Sequence, residues 1–129
     1  MSETLQTNVG AISWMDLTVE NADEVKEFYQ AVAGWEAVSF DMGGYNDYRM
    51  NEPETSKTVS GICHARGGNT GLPALWLIYI TVADLDQSIA DCLRLGGKVI
   101  AGPKAQGDQA RYCVIQDPAG AVAALYQNL

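Results

Sequence analysis

The chain has 129 residues, of which 47% are apolar, and this length and composition suit one domain with a substantial core. Its formal net charge of −8 disfavours nucleic acid as a partner, because phosphate binding needs clustered Lys and Arg. Residues 1–10 lack a signal-peptide pattern, and no run approaches the roughly 18 apolar residues of a membrane span, so we expect a soluble, cytoplasmic protein.

The first half of the chain predicts the element order βαβββ. Residues 11–19 alternate in polarity, which predicts a strand. Asn21 and Glu24 have the spacing of a capping box, apolar residues follow at helical spacing, and Gly34 is placed to end a helix over residues 22–33. Three further strands are predicted at residues 35–42, 47–51 and 59–65.

The second half predicts the same order again. A glycine-rich stretch at residues 66–73 is typical of a linker. A strand over residues 75–82 is followed by Asp84 as a helix N-cap and by a helix over residues 85–95. The remaining strands are predicted at residues 98–101, 110–116 and 121–127, the last two joined by a tight turn at Asp117-Pro118.

A shift of 63 residues aligns the two halves. The identical pairs then include Thr18 with Thr81, Val19 with Val82, Asp23 with Asp86, Gly34 with Gly97, Gly44 with Gly107 and Val59 with Val122. The recurrence of strands, helix and turns in one order is the stronger indication of a duplication. A duplicated unit of this size predicts one two-lobed domain, with a functional site where the lobes meet.

The first strand of each half has two different faces. One is aliphatic in both halves and suits packing against a helix: Met15, Leu17 and Val19, then Ile78, Ile80 and Val82. The other mixes aromatic, hydroxyl and carboxylate groups: Trp14, Asp16 and Thr18, then Leu77, Tyr79 and Thr81. Since exposed aromatic side chains are costly, we expect this mixed face to line a ligand cavity or a subunit interface.

These motifs resemble the glyoxalase, bleomycin resistance and extradiol dioxygenase superfamily, also called vicinal oxygen chelate proteins. The resemblance is carried by residues 14–19, Phe28-Tyr29 and Gly34-Trp35 in the first half, and by residues 76–84, Gly96-Gly97 and 117–121 in the second. The second group is similar to the glyoxalase-like branch. The resemblance implies an α+β fold with two βαβββ modules, at about residues 10–66 and 74–128, in one domain over residues 1–129. Their strands would form a cup-shaped mixed sheet with the helices outside.

The metalloenzymes of this superfamily hold a divalent ion with His, Gln or Glu from the first and last strands of the modules. The resemblance places those four positions at Trp14, Gly61, Leu77 and Ala124. A hard divalent cation needs oxygen or nitrogen donors, which none of these side chains supplies. We therefore expect no metal ion and no other cofactor. The three cysteines are odd in number and lack CxxC spacing, so neither a disulfide framework nor a zinc knuckle is indicated.

Asp16 is the candidate catalytic residue, because a carboxylate in an apolar cup can have a raised pKa and act as a base. The alternative is a structural carboxylate that accepts hydrogen bonds from backbone or arginine. Arg49 and Arg111 each suit a salt bridge or an anionic ligand group, and His64 is expected to point away from the cup. The predicted ligand-binding residues are Trp14, Asp16, Tyr48, Met50, Leu77, Tyr79, Tyr112, Ala124 and Tyr126. Strand alternation does not fix the faces of Tyr48, Met50 and Tyr112.

Together these features predict a metal-free protein that binds an apolar, aromatic or cationic small molecule in the cup, in the way that the superfamily's drug-sequestering members do. One alternative is a lyase or isomerase of glyoxalase type that uses Asp16 as a base. Another is an interaction module that uses the aromatic face for subunit pairing. Since family members commonly pair, a homodimer is expected under all three hypotheses.

Overall fold

The computed structural model describes residues 8–67 and 70–129. Predictions for residues 1–7 and for Gly68 and Asn69 of the linker lie outside the described residues. Within the described ranges the chain forms two helices and eight strands, which are β1 (Ile12–Val19), α1 (Ala22–Ala33), β2 (Glu36–Asp41), β3 (Asn46–Asn51), β4 (Thr58–His64), β5 (Trp76–Thr81), α2 (Leu85–Arg94), β6 (Lys98–Gln106), β7 (Ala110–Gln116) and β8 (Val122–Asn128). Neither helix is long and apolar enough to cross a membrane.

The chain divides into two compact units, which we call the first module (Met15–Trp76) and the second module (residues 8–14 with Leu77–Leu129). Their strands are hydrogen-bonded in the orders β2-β3-β4-β1 and β5-β8-β7-β6. In each case the first strand pairs in parallel with the last, and the other pairs are antiparallel. The duplication predicted from the sequence is therefore a repeat of topology, and the α+β fold of two βαβββ units is confirmed.

The core of the first module lies between α1 and one face of its strands. Fully buried Met50 and Ile62 pack there with Ala22, and Val25 and Tyr29 of α1 cover them. Trp35 and Trp76 extend this core, since the Tyr29 ring lies 5.7 Å and 5.2 Å from their rings. Trp76 Nε1 also donates a hydrogen bond of 3.2 Å to Tyr29 Oη. Edge-to-face rings and a satisfied indole N–H are a favourable way to bury tryptophan.

The core of the second module is built on the equivalent face. Buried Leu85 of α2 packs against Cys113 and Leu125, and Ile80 and Ile89 complete the contact. Because Ile80 and Leu125 lie on this side, alternation places Tyr79 and Ala124 on the opposite side of the same strands.

The two helices begin differently. Asp84 accepts a hydrogen bond of 3.1 Å from the backbone N–H of Gln87, so the predicted N-cap of α2 is formed. Asn21 makes no such bond, and its side-chain amide instead donates to Glu24 Oε1 at 2.7 Å. The predicted capping box at α1 is therefore wrong in its side-chain pairing. Gly34 ends α1 as expected, in the left-handed conformation with φ of 77°.

Three apolar residues at helical spacing, which is typical of a core-facing stripe, are instead exposed. Phe28, Val32 and Leu93 lie on the outer sides of the helices and are 54%, 66% and 57% exposed. Strand β6 also differs from its prediction, because it continues past Ala101 to Gln106. The ladder with β7 shifts register twice on the way, between Val99 and Ala101 and between Ala101 and Lys104.

Candidate functional site

The first module has a polar row on the sheet face opposite α1. In the ladders Gly61 pairs with Asp16 on one side and with Arg49 on the other, and Arg49 pairs with Val38. We call the surface formed by Val38, Phe40, Arg49, Gly61, Cys63 and Asp16 the Arg49 face. Gly61 contributes only backbone to this row, between the positions of Asp16 and Arg49.

On the Arg49 face Asp16 is buried and Cys63 is half-buried. Asp16 is 7% exposed. The pKa of the Cys63 thiol is raised from 9.0 to about 12, first because the thiol is buried and then because Asp16 and Asp47 repel the thiolate. Cys63 is therefore a protonated, unreactive thiol near neutral pH.

Arg49 is the cation of this face. Its Nε is buried and has no hydrogen-bond partner in the described chain. Its guanidinium carbon lies 5.4 Å from the centre of the Phe40 ring, which gives a cation–π contact. The guanidinium is thus held by an aromatic ring, with a donor left unused.

The second module presents an aromatic face opposite α2, which we call the Tyr126 face. In its ladders Tyr79 pairs with Ala124, and Tyr112 pairs with Tyr126. The rings of Tyr79 and Tyr112 are 6.2 Å apart. Tyr126 and Ala124 are fully buried, whereas Tyr112 remains half-buried. Five of the sequence-predicted residues therefore share one face of the second module: Leu77, Tyr79, Tyr112, Ala124 and Tyr126.

Lys104 was missed by the sequence prediction and belongs to the same face. It pairs with Tyr112 in the ladder between β6 and β7. The sequence prediction ended this strand at Ala101, and the Gly102-Pro103 pair that follows interrupts the strand pattern. The alternation in residues 104–106 was the only signal of a continuing strand, and it is short.

Tyr48 and Met50 lie on the opposite side from Arg49. Both belong to the core that packs against α1. Tyr48 Oη donates a hydrogen bond to Asp23 Oδ1, and this bond, followed by burial, raises the pKa of Tyr48 to about 12. Their packing against the helix removes these two residues from the set that we consider for ligand binding.

The other sequence candidates are placed as follows. Trp14 is half-buried in the part of β1 that belongs to the second module. His64 lies on the α1 side, with Nδ1 3.4 Å from Asp47 Oδ1 and Nε2 3.6 Å from Asp23 Oδ1. Arg111 binds Asp86 through two bonds of 3.0 Å and 3.3 Å, and this pairing lowers the pKa of Asp86. Arg111 is therefore in a structural salt bridge.

The residues at the family's metal positions do not fit a divalent ion. Gly61 lies beside Asp16, and Ala124 lies beside Tyr79, so the last strands offer no donor side chain at these positions. Leu77 is a buried aliphatic residue on the Tyr126 face. Among residues 8–67 and 70–129 no group of three His, Cys, Asp or Glu side chains is arranged to hold a metal ion.

The model of the Glyoxalase/Bleomycin resistance protein/Dioxygenase superfamily matches residues 11–125, and the chain belongs to this superfamily. Over 119 residues it is 30% identical to CFP32 of Mycobacterium tuberculosis, which carries a provisional glyoxylase name; the match covers 92% of this chain and 44% of CFP32. The anthracycline biosynthesis protein DnrV of Streptomyces peucetius is 28% identical over 134 residues, covering 92% of this chain and 47% of DnrV. The chain therefore spans less than half the length of these relatives.

Solved structures of the same fold include a Streptomyces coelicolor methylmalonyl-CoA epimerase, with a TM-score of 0.55 and 17% identity. That match covers 93% of this chain and 98% of the epimerase. A hypothetical protein of Bacillus halodurans matches with a TM-score of 0.58 and 13% identity, covering 93% of this chain and 95% of that one. At these identities the likeness shows the fold alone.

Proposed function

We propose that this protein binds a small apolar or aromatic molecule without a metal ion, and that the Tyr126 face is its main contact surface. The observation that carries the proposal is the combination of two neighbouring tyrosine rings with fully buried Ala124 at a family metal position. An alanine there supplies no metal donor and takes up little space. Aromatic walls beside a small residue are typical of sites that bind flat ligands.

Trp14 stays in the proposed binding set for stacking, and Asp16 of the first module stays a candidate polar contact in its own right. The buried carboxylate of Asp16 would favour a ligand with a hydrogen-bond donor or a positive charge. The net charge of −8 agrees with a cationic ligand. Sequestration of such a molecule, as in the superfamily's drug-binding members, is the role that we propose on the basis of kinship.

A thermal-shift screen tests this proposal. The panel contains cationic aromatic antibiotics, neutral aromatic compounds and short aldehydes. We expect at least one aromatic class to raise the melting temperature, because a ligand that binds only the folded state stabilises it by mass action. Tyr79→Leu should weaken that shift. Phe28→Leu is the matched control, since it removes an exposed ring from α1.

Two outcomes would contradict the proposal. One is a panel without any shift, and the other is a shift that Tyr79→Leu and Trp14→Leu leave unchanged. If the same substitutions instead alter the mass measured by light scattering, the Tyr126 face serves subunit pairing.

A second candidate function is proton transfer by Asp16, a buried carboxylate on the Arg49 face. In this reaction Asp16 would take a proton from a carbon next to a carbonyl group and return it. Incubation with hydroxyacetone in deuterated water, followed by NMR, measures such exchange. Exchange that Asp16→Asn abolishes would favour an enzyme, and exchange equal to the buffer rate would count against one.

We further propose that the chain pairs with a second copy in the cytoplasm. The relatives CFP32 and DnrV are more than twice as long as the matched region, so they have room for two such units in one chain. The cysteines Cys63, Cys92 and Cys113 are free thiols, which suits a reducing compartment. Light scattering should give twice the monomer mass of 13.9 kDa, and a monomer at high concentration would refute the pairing.

A further inference from the structure

We infer that Arg49 is an anion-binding residue, and that the Arg49 face binds the carboxylate or phosphate group of a ligand. The inference rests on the proposed function as a small-molecule binder and adds the chemical class of the ligand. It is carried by the geometry of the Arg49 face.

The first observation is the unused donor. Arg49 Nε is buried without a hydrogen-bond partner in the described chain. A buried donor that loses water without gaining an acceptor carries the full cost of desolvation. An anionic ligand group at this position would supply the missing acceptor.

The second observation is the position of Arg49 in the sheet. Arg49 pairs with Gly61 in the ladder, so the neighbouring position has backbone and no side chain. Phe40 lies against the guanidinium at 5.4 Å and orients it. A planar guanidinium held on one side by a ring offers its edge to a two-oxygen anion, which it binds through paired hydrogen bonds.

The third observation is the contrast with other arginines. Arg111 and Arg94 each contact a carboxylate at 3.0 Å, supplied by Asp86 and Asp91. Asp47, which shares the strand of Arg49, already accepts the backbone N–H of His64 at 2.8 Å. Asp16 lies beyond Gly61 in the same row, so the anionic group that Arg49 binds belongs to a ligand whose remaining part offers Asp16 a hydrogen-bond donor or a positive charge.

The direct experiment observes the Nε–H signal of Arg49 by ¹⁵N NMR during titration with sodium acetate and, separately, with inorganic phosphate. A saturable shift of the Arg49 signal is expected, while the Arg111 signal stays in place because Asp86 already occupies that guanidinium. An Arg49 signal that either anion moves only as much as Arg111 would overturn the inference.

The second experiment compares three probes with one ring system: 1-naphthoate, 1-naphthyl phosphate and neutral 1-naphthalenemethanol. An anion bound by the half-buried Arg49 guanidinium should bind about tenfold or more tightly than the neutral probe, as measured by calorimetry. Arg49→Gln should remove this preference, and Arg49→Lys should keep part of it. Arg111→Gln, which also deletes one positive charge, should leave it unchanged. The tighter of the two anions identifies carboxylate or phosphate as the natural group.

The outcomes separate this inference from the proposed function. Equal binding of anionic and neutral probes to the unmodified protein overturns the role of Arg49 and leaves small-molecule binding supported. If no naphthyl probe binds, the proposal of an aromatic ligand fails, and the acetate and phosphate titrations alone decide the role of Arg49. They also decide it if Arg49→Gln does not fold, because they use the unmodified protein.

Discussion

At the scale of single residues, the fold raises the pKa values of two cysteine thiols and one tyrosine hydroxyl. The pKa values of Cys63 and Tyr48 are raised to about 12, and that of Cys113 is raised to about 11. All three are neutral when protonated, and the folded protein holds the proton more tightly than the unfolded chain. Their contribution to stability is therefore complete below the unfolded pKa values and is lost as the pH rises toward the folded ones.

The replacement Cys63→Ala tests this linkage. The unfolding free energy should fall between pH 9.0, the ordinary thiol value, and pH 12 in the unmodified protein. Each group that keeps its proton in the folded state contributes a slope of about 1.4 kcal/mol per pH unit. Cys63→Ala should reduce this slope in urea titrations at several pH values. Cys92→Ala is the control, and an unchanged slope in Cys63→Ala would contradict the burial of that thiol.

At the scale of elements, the sequence predicted the limits of α1 correctly but not the direction of its apolar residues. Val25, Phe28, Tyr29 and Val32 all have helical spacing, yet only Val25 and Tyr29 reach the core. Four residues at this spacing span a wider arc of the helix than one sheet face covers. Which part of the arc is buried depends on how α1 packs on β3 and β4, and residue spacing within the helix does not determine that packing.

The different helix starts give a matched pair of substitutions. Asp84→Ala should cost about 1 kcal/mol of stability, because it removes the acceptor for the N–H of Gln87. Asn21→Ala should cost less, since the Asn21 side chain bonds only to exposed Glu24. Urea denaturation of both variants measures the difference, and an equal loss would mean that Asn21 caps α1 in solution.

The end of α2 explains why Gly97 has no side chain. A Cβ at Gly97 would lie 2.6 Å from Cys92 Sγ and 2.9 Å from the carbonyl oxygen of Gln116. Gly97→Ala should therefore destabilise the protein by about 1 to 3 kcal/mol, as overpacking does. Adding Cys92→Ala should restore only part of the lost stability, because the clash with the backbone carbonyl oxygen of Gln116 would remain. Full stability of Gly97→Ala in urea denaturation would refute this close approach.

The candidate site was predictable from the sequence where strands are long and alternate clearly. Tyr79, Ala124 and Tyr126 share a face in the structure, as alternation indicated. Tyr48 and Tyr112 could not be assigned in the same way, because their faces depend on how each strand pairs with its neighbour. The structure places Tyr112 beside Tyr126 and Tyr48 beside α1.

At the scale of the whole molecule, the two halves share a topology, and the chain as a whole carries an excess of negative charge. The chain has 16 acidic and 8 basic residues, so its surface charges repel one another at neutral pH. Salt at about 0.15 M shortens the range of that repulsion to about 8 Å. We expect the urea midpoint to rise between low salt and this concentration, with sodium chloride and potassium chloride giving the same rise. A midpoint that falls with salt would show that attractive pairs such as Arg111 with Asp86 outweigh the repulsion.

The parallel pairing of the first and last strands in each module has a consequence for how the protein is made. Asp16 of β1 pairs with Gly61 of β4, and Tyr79 of β5 pairs with Ala124 of β8. The first strand of each repeat therefore cannot form this pairing until the last strand of the same repeat has been synthesised. The antiparallel strands β2 and β3 are close in sequence and can pair as soon as both have been synthesised. Until β4 is available, β1 can pack its aliphatic side against α1 but lacks this strand partner. The segment between the first and last strands of a repeat is longer than the turn between β2 and β3, so closing it costs more conformational entropy before stabilising contacts form. We therefore expect the parallel pair to set the folding rate of each repeat.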